Sequence, residues 1–168
     1  MNEIFEIVDV ENNIIGSATR TQCHGNPDLI HRTSHVVVFD QTGRILLQKR
    51  SINKDIQPGK WDTAVGGHLM PGESFEVAAI REMGEELGIP NTKQISFLFE
   101  MKIRNLIESE NTAVFYTVYA GPFDIQKEEV QEIKFWSLDD LTVEIAKGNV
   151  TPYCEQEIIK LIKIGKLF

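Results

Sequence analysis

The segment GHLMPGESFEVAAIREMGEELGI, residues 67–89, constrains the fold more than any other part of this sequence. A helix turns by about 100° per residue, so Glu82, Glu85 and Glu86 fall within an arc of roughly 100°. A separate apolar stripe is formed by Ala79, Ile80, Met83 and Leu87. The segment therefore predicts a helix that packs with one side and gathers carboxylates on another.

Both ends of this helix are marked in the sequence. Pro71 and Gly72 indicate a turn, and Ser74 can cap the helix N-terminus. Gly88 suits the left-handed position after the last turn, and Pro90 cannot continue the helix. The acidic residues are thus expected on a helix with defined ends.

The glutamates have two interpretations. Glu82 and Glu86 are four residues apart, and like charges at this spacing cost an exposed helix a few tenths of a kcal/mol. They can form a solvated acidic face, the usual reason for glutamates on a helix. They can also bind Mg²⁺, which prefers carboxylate oxygens and is commonly completed by substrate phosphates.

The longer pattern favours the metal site. The segment matches GX5EX7REUXEEXGU, in which U is aliphatic, at all nine defined positions and so resembles the Nudix box. The resemblance implies an α/β/α sandwich with a mixed sheet, and hydrolysis of a nucleoside diphosphate linked to a further group. By the same resemblance, Glu82, Glu85 and Glu86 bind Mg²⁺ or Mn²⁺, while Glu73 and Arg81 support the helix and its loop.

Hydrolysis of a diphosphate makes physical demands that such a cluster meets. Metal ions neutralise developing charge and lower the pKa of the attacking water. A general base must also reach that water, and Glu85, Glu86 or a carboxylate from elsewhere can serve. The candidate catalytic residues are Arg81, Glu82, Glu85, Glu86 and Glu110.

Composition narrows the class of protein. No apolar run approaches 18 residues, and no signal or lipidation motif is found at the N-terminus, so we expect a single cytoplasmic domain over residues 1–168 without membrane attachment. Cys23 and Cys154 are far apart and indicate neither a disulfide framework nor a thiolate zinc site. The net charge of −8 argues against binding a nucleic-acid polymer. A small phosphorylated metabolite is the expected partner, and a homodimer is left open.

A basic segment precedes the acidic one. Residues 44–60, RILLQKRSINKDIQPGK, contain five basic residues and one aspartate. Arg50 and Lys54 are the candidates for contacts with substrate phosphate. Ordinary surface charges at a strand end are an equally good explanation of either residue.

Alternating apolar residues predict most of the remaining elements. A hairpin around Asn12 and Asn13 lies in an N-terminal region of about 1–33. Further strands are predicted within residues 35–40, 44–50, 61–67, 93–104, 111–121 and 130–138. Two C-terminal helices are predicted within about 137–166. Strands with few intervening helices indicate a mixed sheet covered by helices.

The four histidines, His24, His31, His35 and His68, all precede or enter the acidic segment. A single histidine is more often a hydrogen-bonded structural residue than a ligand. Several histidines combined with Glu108 and Glu110, which alternate to one side of a strand, are more typical of a divalent-metal site.

A second resemblance extends from about residue 8 to 115. The runs ATRTQCH, LIHR, WDTAVGGH and ESENTAVF are similar to the type I isopentenyl-diphosphate isomerases, a branch of the Nudix superfamily. This resemblance implies that Arg50 and Lys54 hold a diphosphate. It also implies one divalent metal bound by His24, His31, His68, Glu108 and Glu110.

Two features depart from the isomerase pattern. The isomerases need a catalytic cysteine where this sequence has Gly66, and Cys23 cannot fill that position without an unlikely backbone arrangement. They also typically lack the carboxylates that Glu82 and Glu85 retain here. We therefore predict an isomerase-like hydrolase, with an isomerase as the alternative. A non-catalytic module that senses a phosphorylated metabolite is a third reading, which metal-dependent turnover would exclude.

Overall fold

The computed structural model describes residues 3–54 and 56–167. The predicted domain limits at Met1 and Phe168, and Asp55 of the basic segment, lie outside the described residues. The strands are β1 (Ile4–Val8), β2 (Ile14–Thr19), β3 (Ile30–Phe39), β4 (Ile45–Arg50), β5 (Trp61–Thr63), β6 (Val65–His68), β7 (Ser96–Arg104), β8 (Ser109–Val118) and β9 (Val130–Trp136). The helices are α1 (Arg20–Cys23), α2 (Phe75–Leu87), α3 (Leu138–Ala146) and α4 (Pro152–Lys163).

The N-terminal hairpin is formed by β1 and β2, which pair antiparallel. Its turn contains Asn12 at φ 70°, and the Asp9 carboxylate accepts hydrogen bonds from the backbone N–H groups of Glu11 and Asn13, each at 2.9 Å. The strands end at Thr19, well before the limit near residue 33 that the sequence indicated. Helix α1 follows, which the sequence reading missed because it is only four residues long.

Strand β3 organises the seven-stranded sheet, whose main order is β5-β4-β3-β8-β7. It pairs in parallel with β8 and antiparallel with both β4 and β6. Strand β9 pairs with β4, and β7 pairs antiparallel with β8. The sheet is therefore mixed, as predicted.

Successive residues of β3 enter two different cores, because side chains alternate between the faces of a sheet. Val36 and Val38 pack with Met83 and Leu87 of α2. On the other face, Val37 and Phe39 pack with the C-terminal helices through Leu141, Cys154, Ile158 and Leu161. Helices cover both faces, which confirms the predicted α/β/α sandwich.

The single strand predicted within residues 61–67 is wrong in one respect. Thr63 pairs with Leu47 of β4, whereas Val65 pairs with Val36 of β3. The chain changes its pairing partner at Ala64, so the segment forms two strands, β5 and β6. This crossing delivers the glycines at the end of β6 to the start of the acidic segment.

Within residues 3–54 and 56–167, no helix has the length and apolar character needed to cross a membrane.

Candidate active site

Helix α2 begins and ends where the sequence predicts. The Ser74 hydroxyl accepts a hydrogen bond from the Val77 N–H at 3.3 Å. Gly88 adopts the left-handed conformation at φ 64°, and its N–H bonds the Gly84 carbonyl at 3.1 Å. The helix is thereby fixed at both ends, with its apolar side against β3 and β6.

Arg81 connects two glutamates of the helix with Glu73 in the loop before it. Its guanidinium donates to Glu73 at 2.9 Å, to Glu82 Oε1 at 2.7 Å and to Glu85 Oε2 at 3.0 Å. A further bond of 3.0 Å reaches the His68 carbonyl. Hydrogen bonding to Glu73 is the main reason that the pKa of Arg81 is raised, so the guanidinium is a permanent positive centre for this cluster.

Glu82 lies directly against the backbone of Gly67. A Cβ atom built on Gly67 would lie 2.0 Å from Glu82 Cδ and 2.1 Å from its Oε1. A side chain at position 67 would overlap the Glu82 carboxylate, so this arrangement requires glycine there. Burial raises the pKa of Glu82, against the opposing effect of Arg81.

Glu86 is the buried member of the cluster, with 4% of its surface exposed. It accepts hydrogen bonds from Gln48 Nε2 at 3.0 Å and from the Gly66 N–H at 3.3 Å. Burial, with the charges of Glu82 and Glu129 nearby, raises its pKa to about 8. The sequence patterns gave no sign of Gln48, because it comes from the separate strand β4.

The two basic candidates are held by acidic partners. Arg50 Nη1 lies 2.9 Å from Asp62 Oδ2, and Lys54 Nζ lies 2.7 Å from Glu129 Oε2. Arg50 lines an open pocket that is bordered by Gly66, Gly67 and His68 of β6. Lys54 is outside the pocket lining. Its partner Glu129, one of two glutamates in the loop before β9, raises the pKa of both Glu82 and Glu86.

Three of the four histidines converge beside this pocket, and two of them, His24 and His68, line it. The ligand-capable atoms of His24, His31 and His68 all lie within 4.8 Å of one another. Two ligand atoms on opposite sides of one ion, each with a bond near 2.1 Å, are ~4.2 Å apart. The distances between the three histidine nitrogens, up to 4.8 Å, are only slightly larger. The structure thus brings together three residues that are 44 positions apart at their extremes.

Glu108, which directly precedes β8, and Glu110 of β8 complete this cluster. Glu110 Oε1 lies 3.4 Å from His31 Nε2 and 3.6 Å from His68 Nε2. Burial alone would raise the pKa of Glu110, but the two imidazoles outweigh it and lower that pKa. Glu108 Oε2 lies 4.0 Å from His24 Nε2, and burial, with the charge of Glu110, raises the pKa of Glu108.

Phe5 of the N-terminal hairpin was missed by the sequence reading. Its ring stacks on His31 at 5.0 Å and on His68 at 4.2 Å between centroids. The hairpin thereby orients two imidazoles from other strands. The alternating pattern of this segment predicted a hairpin but gave no indication of the side chains that Phe5 contacts.

His35 does not join the other three histidines. Its Nδ1 lies 3.0 Å from Glu157 Oε2 on α4, while the Thr63 hydroxyl donates to Glu157 Oε1 at 2.8 Å. Glu157 is fully buried, at 0% exposure. The sequence gave no sign of this pair, because Glu157 lies 122 residues after His35.

Two groups of side chains have the chemistry for divalent metal ions. The helix offers carboxylates alone, a set of hard oxygen ligands that suits Mg²⁺ or Mn²⁺. At the second group, the Nε2 atoms of His31 and His68 are buried and make no hydrogen bond with the described residues. Buried nitrogen atoms without a hydrogen bond are costly, so a mixed nitrogen and oxygen set of this kind fits a metal ion.

Comparison with known proteins gives the family. The model of the NUDIX domain matches residues 29–154. An uncharacterized Nudix hydrolase of Yersinia pestis is 37% identical over 143 residues, covering 83% of this chain and 76% of that protein. Isopentenyl-diphosphate Delta-isomerase 2 of Photorhabdus laumondii is 39% identical over 145 residues, covering 82% and 79%.

Solved structures agree on the fold. A crystal structure from Deinococcus radiodurans superposes with a TM-score of 0.75 at 21% identity, covering 89% of this chain and 92% of that one. The MutT protein from Methanosarcina mazei gives 0.70 at 22% identity, covering 82% and 96%. The chain belongs to the Nudix domain family. Within that family it is similar both to proteins named Nudix hydrolases and to proteins named isopentenyl-diphosphate isomerases.

Proposed function

We propose that this protein is a metal-dependent hydrolase that cleaves the diphosphate linkage of a small phosphorylated metabolite, such as a nucleoside diphosphate joined to a further group. The observation that carries the proposal is the retained cluster of Glu82, Glu85 and Glu86, anchored by Arg81 beside an open pocket. A protein without hydrolytic activity has no need to keep three carboxylates together on one helix, where their repulsion is unfavourable.

Each residue of the cluster has a role in this proposal. Glu82, Glu85 and Glu86 would hold Mg²⁺ or Mn²⁺, which supplies charge neutralisation and lowers the pKa of the attacking water. Arg81 fixes the carboxylates of Glu82 and Glu85 in position. Because the cluster is arranged before the reaction begins, little reorganisation is needed during the reaction. Its electrostatic interactions can therefore stabilise the transition state.

The pocket residues would bind the remainder of the substrate. Arg50 lines the pocket and, with its guanidinium already oriented by Asp62, can donate to phosphate oxygens. Lys54 is proposed as a second contact that Glu129 holds near the helix. Glu110 is a further carboxylate at the pocket.

The test is ³¹P NMR of the protein with Mg²⁺ or Mn²⁺ and a panel of nucleotide-linked and prenyl diphosphates. We expect new phosphate signals with at least one class of compound, and their loss in Glu85→Gln. Phosphorus spectra that stay unchanged across the panel would refute hydrolysis and leave the isomerase or the sensor.

The isomerase is the second candidate because of the cluster formed by His24, His31, His68, Glu108 and Glu110. These residue types are the metal ligands that the isomerase resemblance implies. Against it, Gly66 has no side chain to transfer a proton. Proton NMR of isopentenyl diphosphate decides this point, since wild-type protein that rearranges the double bond at an enzyme-like rate would replace hydrolysis as the main activity.

A further inference from the structure

His35, which lines the pocket, forms a pair with the buried Glu157 of α4. The His35 side chain is 12% exposed, and that of Glu157 is 1% exposed. Because a carboxylate only accepts hydrogen bonds, Glu157 fixes the proton of the His35 ring on Nδ1. Glu157 also accepts from Thr63, which leaves the pair little freedom to rotate.

The second ring nitrogen of His35 is directed to the pocket. A Cβ built on Gly66 would lie 3.2 Å from His35 Cδ2 and 3.4 Å from its Nε2, and both residues line the cavity. Within the described residues, Nε2 has no hydrogen-bond partner of its own. The glycine thus leaves this edge of the ring open to a ligand.

The charges around His35 favour the positively charged form of its ring. Arg50 lines the same pocket and forms an ion pair with Asp62, which acts on the ring together with the carboxylates of Glu157 and Glu110. Burial alone would lower the pKa of His35, but the hydrogen bond and charge of Glu157 outweigh it and raise the pKa. The imidazolium form donates from both nitrogens, Nδ1 to Glu157 and Nε2 to the pocket.

We propose that His35 Nε2 donates a hydrogen bond to a phosphate oxygen of the substrate at the centre of the pocket, and that Glu157 is its positioning residue. The substrate would then span from the carboxylates of α2 to the space beside Gly66. This inference rests on the proposed function, since it assumes that a diphosphate enters this pocket.

The first experiment needs no variant. Long-range ¹H–¹⁵N NMR of the histidine side chains is recorded with excess Mg²⁺, before and after addition of methylenediphosphonate, a diphosphate analogue that cannot be hydrolysed. We expect the His35 Nε2 resonance to shift on binding while Nδ1 keeps its proton. Bound analogue with an unchanged His35 Nε2 resonance, or no binding at all, would overturn the proposal.

A matched pair of substitutions measures the contribution to binding by calorimetry. His35→Asn keeps an amide donor for Glu157 and removes the nitrogen facing the pocket, so we expect about 10- to 100-fold weaker binding of methylenediphosphonate. His35→Gln places its amide near the position of Nε2 and should bind more tightly than His35→Asn. Lys147→Gln, which removes one positive charge at the C-terminal end of α3 and outside the pocket lining, should bind as the wild type does.

Equal affinity of His35→Asn and the wild type would also overturn the proposal. Failure of the proposed function would give a different result from failure of this inference. In that case the wild type would show no metal-dependent hydrolysis in the ³¹P test. A protein that hydrolyses its substrate and yet is indifferent to His35→Asn would refute only the role of His35.

Discussion

Gly67 and Gly84 both lie in the segment of residues 67–89, but a methyl group would meet different surroundings at each. At Gly67 the added Cβ would occupy the place of the Glu82 carboxylate. We expect Gly67→Ala to displace Glu82, which is a flexible side chain, and to lower metal-dependent activity by about 100-fold, the usual cost of misplacing a group by an ångström. Parallel measurements of activity and of Mn²⁺ affinity check this.

Gly84→Ala is the matched control. Its Cβ would meet only the Ile89 carbonyl, at 3.8 Å, and the position is exposed within the helix. The substitution should stabilise the protein by about 0.5–1 kcal/mol and leave activity near the wild-type level. Equal activity of the two variants would show that Gly67 is not needed for the placement of Glu82.

Asp40 is a residue whose carboxylate stabilises the turn between β3 and β4. Oδ1 accepts from Thr42 N at 2.8 Å and Arg44 N at 3.0 Å, and Oδ2 accepts from Arg44 Nε at 2.7 Å. These bonds outweigh burial and lower the pKa of Asp40 from 3.8 to about 2. We expect Asp40→Asn to lower the free energy of unfolding by about 1 kcal/mol at neutral pH.

The effect of Asp40→Asn should depend on pH in a defined direction. Because the pKa is lower in the folded state, the unfolded chain takes up the proton first as pH falls. The difference between wild type and variant should be full above about pH 4 and shrink towards about pH 2. Urea unfolding of both proteins across this range measures it, and a difference that grows on acidification would contradict the assignment.

At the scale of elements, the C-terminus of α2 is joined to the loop that carries Glu129. Asp124 N bonds the Leu87 carbonyl at 3.0 Å, and Gln126 N bonds the Glu86 carbonyl at 3.0 Å. A Cβ on Gly88 would lie 2.8 Å from Asp124 Cβ and 3.1 Å from its backbone N and O. Gly88→Ala should therefore cost about 2–4 kcal/mol, from the left-handed backbone and from this contact together.

Gly148→Ala separates these two causes. Gly148 is also left-handed, at φ +72°, but no atom lies within 4 Å of its added Cβ. We expect a loss of about 1 kcal/mol for this variant, from the backbone conformation alone. Urea unfolding compares the two proteins, and equal losses would mean that the contact with Asp124 relaxes freely.

The elements that sequence predicted best are those with local signals. Helix α2 was delimited correctly because Ser74 and Gly88 act on backbone groups only a few residues away. The break between β5 and β6 was not predictable, because it depends on the different strands that pair with Thr63 and Val65. Local chemistry fixes where an element ends, whereas pairing partners are chosen by the whole sheet.

At the scale of the whole molecule, the same distinction applies to the candidate site. The candidate metal ligands were visible in the sequence as motifs and as a concentration of histidines. Phe5, Gln48 and Glu157 were not, since each belongs to an element far along the chain from the side chain it contacts. Candidate ligands of a metal ion or substrate can be recognised from their spacing in the sequence. The residues that hold those ligands in position depend on how distant parts of the chain pack together.

The two groups of ligands lead to a prediction for the whole protein, that metal-free wild type binds two divalent ions independently. Metal at 100 times its dissociation constant stabilises a folded protein by about 2.7 kcal/mol. We expect Glu82→Gln to lose the ion at α2 and keep the one at the histidines, and His68→Gln to do the reverse. Glu76→Gln, an exposed glutamate on the same helix, should keep both.

Calorimetric titration of chelator-treated protein with Mn²⁺, combined with thermal unfolding, checks this. Two binding events in the wild type and one in each single variant would establish two sites. If either substitution abolishes both events, the carboxylates and the histidines act on one shared ion. In that case the hydrolase and isomerase arrangements would be alternative uses of one centre, because Gly66 and Gly67, which lie against Glu86 and Glu82, line the same pocket as His68.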